Sequence, residues 1–243
     1  MRVVVAATVL AAFCLSIPTP AQATELTTKV FAATLEPGLT EFELRYGRIV
    51  GDEATGEDGL LFEAAHHFSS RFYGGIELET SREPGGDRKI AAFGAEGIVT
   101  LGKVAGVNVA MLGEYAANLH TSDAIETRLL VEKRADEFNV RLNLNAEKIL
   151  EHGEPLEFSY AASVDRELAE DFRLGLMGIG ELGTSKHLTA RGEHFLGPVA
   201  KYEVEHLPRG ELELEAGYLL PLGEARHDTD GLVRLMVEYG IRF

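Results

Sequence analysis

The stretch "GLVRLMVEYGIRF" alternates almost without a break. Val233, Leu235, Val237, Tyr239, Ile241 and Phe243 fall on one face of an extended chain, and Arg234, Met236, Glu238, Gly240 and Arg242 on the other. The same period of two recurs upstream. "TEFELRYGRIV" sets Phe42, Leu44 and Tyr46 against Glu41, Glu43 and Arg45, and "EFNVRLNLNAEKI" sets Phe138, Val140, Leu142 and Leu144 against Asn139, Arg141, Asn143 and Asn145. "PLEFSYAASVD" and "GELELEAGYLL" behave alike. Such alternation marks strands with one apolar and one polar face. It predicts strands at 40–50, 59–69, 71–83, 90–102, 107–119, 124–136, 137–150, 155–168, 172–183, 192–205, 210–223 and 231–243. "DAIETRLLVEKRADE" and "LLFEAAHHFSS" carry residues that also suit helices, so propensity and alternation disagree there.

Two features of this pattern point to a membrane. The strands are longer than the 5 or 6 residues usual in soluble sheets and match the roughly 9–11 that cross a bilayer at a tilt. Connections after odd-numbered strands ("GDEATGED", "HTSDA", "GTSKHLTARG", "GEARHDTD") are generally longer than those after even-numbered ones ("KVAG", "AED", "LPR"). That is the parity of long external loops and tight periplasmic turns in an up-and-down barrel. Trp is absent, so Tyr46, Phe72, Tyr115, Tyr202, Tyr218 and Tyr239 are the aromatics expected near the interfaces.

The first 23 residues stand apart. A basic Arg2, an apolar run from Val3 to Leu15 and the Ala21-Gln22-Ala23 pattern read as a secretory signal cleaved after Ala23. Cys14, the single cysteine, lies inside it and follows Phe13, which argues against lipid attachment. The mature chain then has no disulfide, thiolate metal site or cysteine nucleophile. The net charge of -16 becomes one unit more negative without Arg2, which speaks against nucleic acid. Residues 24–39 read as a polar periplasmic lead-in, and 40–243 as the barrel.

With these features in place, the sequence resembles a Gram-negative outer-membrane β-barrel. Its ending resembles the C-terminal targeting signal of that class, with Tyr239, Ile241 and the terminal Phe243 at alternate positions. The resemblance implies that the last strand is read by the barrel-assembly machinery and then pairs with the first. It covers residues 40–243 as architecture and implies no activity.

Chemistry must come from the polar face, which in a barrel points into the lumen. Its acidic members are Glu41, Glu43, Glu63, Glu77, Glu79, Glu96, Glu114, Glu126, Glu132, Glu147, Glu157, Asp165, Glu181, Glu203, Glu205, Glu211, Glu213, Glu215 and Glu238. Arg45, Arg128, Arg134, Arg141, Arg173, Lys201, Arg234 and Arg242 are the fewer basic ones. If the "LPRG" turn sets register, Glu203 faces Glu213, Glu205 faces Glu211, and Lys201 faces Glu215. Like charges across a strand pair repel unless water, a cation or a residue such as Arg242 separates them. These glutamates and Arg242 are the candidate selectivity residues of a cation-attracting constriction; a solvated wall knitted by ion pairs is the alternative.

Histidines His120, His152, His187 and His227 fall in the external loops beside carboxylates. His152, His187 and His227 are weak metal candidates, and no cofactor is expected. His67 shares a strand with Glu63, but no serine motif accompanies them, so no enzyme is expected. The expected protein is an all-β, twelve-stranded outer-membrane barrel whose partners are the lipid bilayer, the assembly machinery and small solutes. Its expected role is narrow passive passage of cationic or neutral solutes, or else a closed barrel with a structural or interaction role. A soluble periplasmic β-protein is the remaining alternative.

Overall fold

The computed structural model describes residues 26–51, 56–188, 192–207 and 209–242, the side chains of Glu205 and His206 apart. The signal segment 1–23 and Phe243 lie outside the described residues.

Twelve strands form one closed antiparallel barrel. They are β1 (Leu39–Val50), β2 (Asp58–Ser69), β3 (Phe72–Arg82), β4 (Lys89–Val104), β5 (Val107–Asn118) and β6 (Ala124–Ala135). β7 (Phe138–Ile149), β8 (Leu156–Ala169), β9 (Phe172–Thr184), β10 (Glu193–Leu207), β11 (Gly210–Gly223) and β12 (Gly231–Arg242) complete the set. Every boundary lies within two residues of the alternation-based expectation. The two helix-prone stretches are β2 and β6: pairing on both sides outweighs a helical preference of a few tenths of a kcal/mol per residue.

β12 closes the barrel by pairing with β1 from Leu39↔Arg242 to Val50↔Gly231. Even-numbered strands are followed by two-residue turns, such as Ala105-Gly106 between β4 and β5. Ala105 (φ 49°) and Gly106 (φ 84°) take the two left-handed positions of a primed hairpin turn. The opposite end carries the longer connections, and in the last of them a single 3₁₀ turn, Glu224–His227, buries Ala225 over the mouth.

Burial is reversed relative to a soluble protein. Phe42, Phe62, Ile76, Phe93, Leu129, Leu144, Leu176, Leu196, Leu220 and Leu235 face outward and are exposed. Glu43, Arg45, Glu63, Glu96, Arg128, Glu132, Asn143 and Arg234 face inward and are buried. Contiguous apolar exterior around a sheet with no free edge is what hydrocarbon requires of a spanning structure. Tyr115, Tyr202, Tyr218 and Phe72 point outward as expected.

The lumen is filled by the chain itself. Residues 26–38, assigned by sequence to a periplasmic lead-in, run inside the barrel. The segment starts with Leu26 beside Gly47 and descends toward the short-turn end, where residues 36–38 turn into β1. Its backbone polar groups need partners there. Asn143 accepts from Phe31 N (2.7 Å) and donates to Phe31 O (3.1 Å), imitating a neighbouring strand. Arg45 donates to Thr27 O (3.2 Å), and Arg234 donates to Thr28 O. At the bottom, Glu36 N donates to His67 Nδ1 (2.8 Å) and Gly38 N to His67 O (2.9 Å). Gly38 takes φ 81°, the left-handed turn that lets the chain reverse into β1.

Apolar side chains of the segment fix its position. Leu26 and Val30 pack with Ile49, Met177, Ile179, Phe195, Val199, Leu219, Ala225 and Leu232. Phe31 and Ala33 pack with Ala65, Tyr73, Ile98, Ala110, Leu112 and Leu130. An interior position of β1 makes room: a Cβ on Gly47 would lie 2.0 Å from Leu26 O.

Candidate lumenal site

The registers of the strands align one glutamate from every strand except β9. Glu203 pairs with Glu213, Glu213 with Glu238, and Glu238 with Glu43. Glu43 pairs with Glu63, and Glu63 with Glu77. On β4 the series steps two residues, because Glu77 faces Gly94 and leans over it, and it resumes at Glu96. From there Glu96 pairs with Glu114, Glu114 with Glu126, Glu126 with Glu147, and Glu147 with Glu157. Strands tilt in a closed barrel, so directly paired residues trace a helix around its axis. Glu203 lies near the short-turn end of β10, whereas Glu157 is the second residue of β8 at the long-loop end. The glutamates therefore form a spiral that joins the two mouths.

Directly opposed carboxylates repel, and burial sharpens the repulsion. Cations from both wall and segment relieve it. Arg45 joins Glu43, Glu63 and Glu77, and Arg128 joins Glu114 (3.2 Å) and Glu126. The Tyr73 hydroxyl stands between Glu63 and Glu96 (2.7 Å) and donates its one hydrogen to either of them. Lys29, from the lumenal segment, bridges Glu43 and Glu238, the latter at 2.9 Å. Around the Phe31 ring stand three cations: Lys29 Nζ at 5.5 Å, Arg45 Cζ at 5.8 Å and Arg128 Cζ at 5.1 Å from its centroid. The electron-rich faces of one buried ring thus attract charges that would otherwise repel one another.

A cavity of about 610 Å³ lies between the segment and the opposite wall. Four of the sequence-derived selectivity candidates line it directly: Glu203, Glu211, Glu213 and Glu215. Arg242 lines it too, paired with Glu36 and standing 3.5 Å from Glu211. Glu203 faces Glu213 and Lys201 faces Glu215, the registers expected from the turn. Lys201 Nζ lies between Glu213 (2.9 Å) and Glu215 (3.0 Å). The register shifts between Val204 and Leu207, so Glu205 and Glu211 are not a direct pair, and the Glu205 side chain lies outside the described set.

Of the residues expected from the resemblance to form a targeting signal, Tyr239 and Ile241 sit on β12 opposite Phe42 and Thr40 of β1, while Phe243 lies outside the described residues. His152, His187 and His227 are exposed on separate connections. Among the described residues, Glu63, Glu77 and Glu96 bring carboxylate oxygens within 4.8 Å of one another, and no histidine joins them. His67, considered beside Glu63, instead meets Glu41 (3.1 Å) and the Glu36 N–H.

Sequence reading named every glutamate of the spiral but aligned only those on β10 and β11. Of the remaining registers, Glu126 with Glu147 follows from the two-residue turn between β6 and β7, and the others depend on bulges, longer connections or barrel closure. It missed Lys29 altogether, because the segment holding it has no period.

No protein-family model and no curated protein matches the chain. Solved structures do. The KdgM porin superposes with a TM-score of 0.56 at 12% identity, covering 84% of this chain and 99% of its own. The NanC porin gives 0.57 at 10% identity, covering 83% and 100%. The COG4313 outer membrane channel from Pseudomonas putida F1 gives 0.59 at 11% identity, covering 86% and 97%. At such identities the likeness is one of fold. Closed topology, apolar exterior, turn parity and these neighbours together make the chain an outer-membrane β-barrel.

Proposed function

We propose that the protein is a narrow passive channel of the outer membrane, preferring small cationic or neutral solutes. The glutamate spiral carries this reading. A continuous carboxylate track between two mouths lowers the energy of a cation along its path and raises that of an anion. One KdgM porin structure is described as a complex with oligogalacturonate. That ligand is a polyanion, and a wall of glutamates is the wrong surface for it.

The mechanism follows from the wall. A cation entering at either mouth exchanges part of its hydration for carboxylates and moves between neighbouring ones. Arginines on the β1–β6 side keep that wall from trapping it. The cavity beside Glu203, Glu211, Glu213 and Glu215 supplies the wettest stretch of the path. Residues 26–38 narrow the remainder.

The test is planar-bilayer conductance of the refolded mature chain under a potassium chloride gradient. Discrete, cation-selective steps are expected, with selectivity reduced when Glu213 and Glu238 are both changed to Gln. Insertion without conductance, in the full chain and also in a chain lacking 26–36, refutes passage.

A second reading, a closed barrel with a structural or interaction role, draws on one observation. The lumenal segment is hydrogen-bonded to β1, β2, β6, β7 and β12, walls on several sides of the lumen. This reading predicts the silent outcome of the same experiment.

A further inference from the structure

We propose that the Glu43–Glu238 pair is a binding seat for primary ammonium groups and that Lys29 is its tethered occupant. Naming alkylamines as a solute class rests on the channel reading; the seat itself does not.

The argument starts from charge. Glu43 on β1 and Glu238 on β12 are directly paired, and Glu63 and Glu213 flank them on the next strands. Four successive carboxylates in one row require cations. Arg45, on β1 itself, serves Glu43 and Glu63, and Lys201 serves Glu213 from β10. Between them lies the Glu43–Glu238 step, and no cation of the barrel wall is paired with both of its members among the described residues. Lys29 Nζ sits on both.

Lys29 does not belong to the wall. It belongs to a thirteen-residue stretch, 26–38, that reaches the lumen only by folding back from β1. Its ammonium is therefore a guest that happens to be tethered. The seat matches a primary ammonium in three respects. Two carboxylates accept two of its N–H bonds, the Phe31 ring centroid lies 5.5 Å from the nitrogen, and the Lys29 side chain retains 17% exposure. A quaternary ammonium has the charge but no N–H to donate.

Replacing Lys29 with Ala should leave the seat empty and its carboxylates uncompensated. The experiment is thermal unfolding of the refolded mature chain in detergent micelles, with n-butylammonium as probe and tetramethylammonium as control. Butylammonium at tenfold excess over its dissociation constant is expected to raise the unfolding temperature of Lys29→Ala by roughly 3–6 °C. Wild type, whose seat is filled, and the Lys29→Ala/Glu238→Gln double variant should show no such gain. Tetramethylammonium should leave all three unchanged. Equal shifts in the three proteins, or none in Lys29→Ala, overturn the proposal.

If Lys29→Ala does not refold alone, refolding yield with butylammonium in the buffer becomes the readout. Selective rescue supports the seat, and no rescue overturns it. Binding in micelles needs no conduction, so a silent bilayer with intact rescue removes the channel and keeps the seat. Conduction without rescue does the reverse.

Discussion

The two sides of the lumen solve the same electrostatic problem differently. Along β1–β6, Glu43, Glu63, Glu77, Glu96, Glu114 and Glu126 face inward beside Arg45 and Arg128, and the Phe31 ring fills the space between them. Arg45 is 3% exposed and reaches three carboxylates. Along β10–β12, Lys201 serves Glu213 and Glu215 at the edge of a cavity of about 610 Å³. The first wall is cross-linked by two arginines that each join several carboxylates, and the second borders the larger cavity. The difference teaches that one acidic lumen can pack its cations tightly among carboxylates on one side and leave space beside them on the other.

Arg45→Met should break the comparison most sharply. Removing one partner from a buried ionic cluster leaves uncompensated charge and costs about 3–5 kcal/mol. Here Glu43, Glu63 and Glu77 all lose a partner. Unfolding of the refolded variant in detergent by urea or heat measures the loss. The matched change beside the cavity, Lys201→Met, should cost less, because it strips two carboxylates of a partner instead of three and Glu213 keeps 25% side-chain exposure. Equal costs for the two variants would mean that the two walls hold their carboxylates alike.

The intermediate effect concerns the segment between the walls. Gly47 faces Leu26 so closely that any side chain must displace it. Gly47→Val should cost about 1–3 kcal/mol as an overpacked site. It should also move residues 26–30 away from β1, with conductance larger than wild type. Unchanged conductance together with the expected destabilisation would show that the passage does not run past Leu26.

How much of this was legible beforehand depends on where the information lies. Alternation encodes which face each residue occupies, so all twelve strands and the inward position of Glu43, Glu63, Glu213 and Glu238 could be read directly. Register is another matter. The pairing of Glu203 with Glu213, expected from the turn, is reached through the bulge between Val204 and Leu207. Glu126 against Glu147 follows without a shift from the two-residue turn between Ala135 and Phe138, whereas Glu238 against Glu43 depends on closure between the first and last strands. The lumenal segment was hidden for a different reason. Its residues pack against walls contributed by distant strands, so Lys29 and Phe31 carry no local periodicity to betray them. Arg242 was read as a partner for the acidic row, and it stands by Glu211 and Glu36.

The smallest expected effect lies at the long-loop mouth, outside both walls. Burial, with Glu193 and then Glu83 nearby, pushes the Glu57 carboxyl up to about 7 from an ordinary 4.5. A raised carboxyl pKa means that the folded mouth prefers the protonated form. Its contribution to stability is thus complete below about pH 4.5 and is lost as pH rises through about 7. Glu57 keeps substantial contact with solvent, so the change is modest. Wild type should unfold at a lower temperature at pH 8 than at pH 5, by a margin that Glu57→Gln narrows. Melting both proteins in the same detergent across that range provides the measurement. If the two profiles run parallel, Glu57 is not the titrating group. The same pair of curves also bounds the two-wall comparison from outside. A Glu57 effect as large as that of Lys201→Met would place the mouth beside the cavity among the sites where this barrel holds charge out of water.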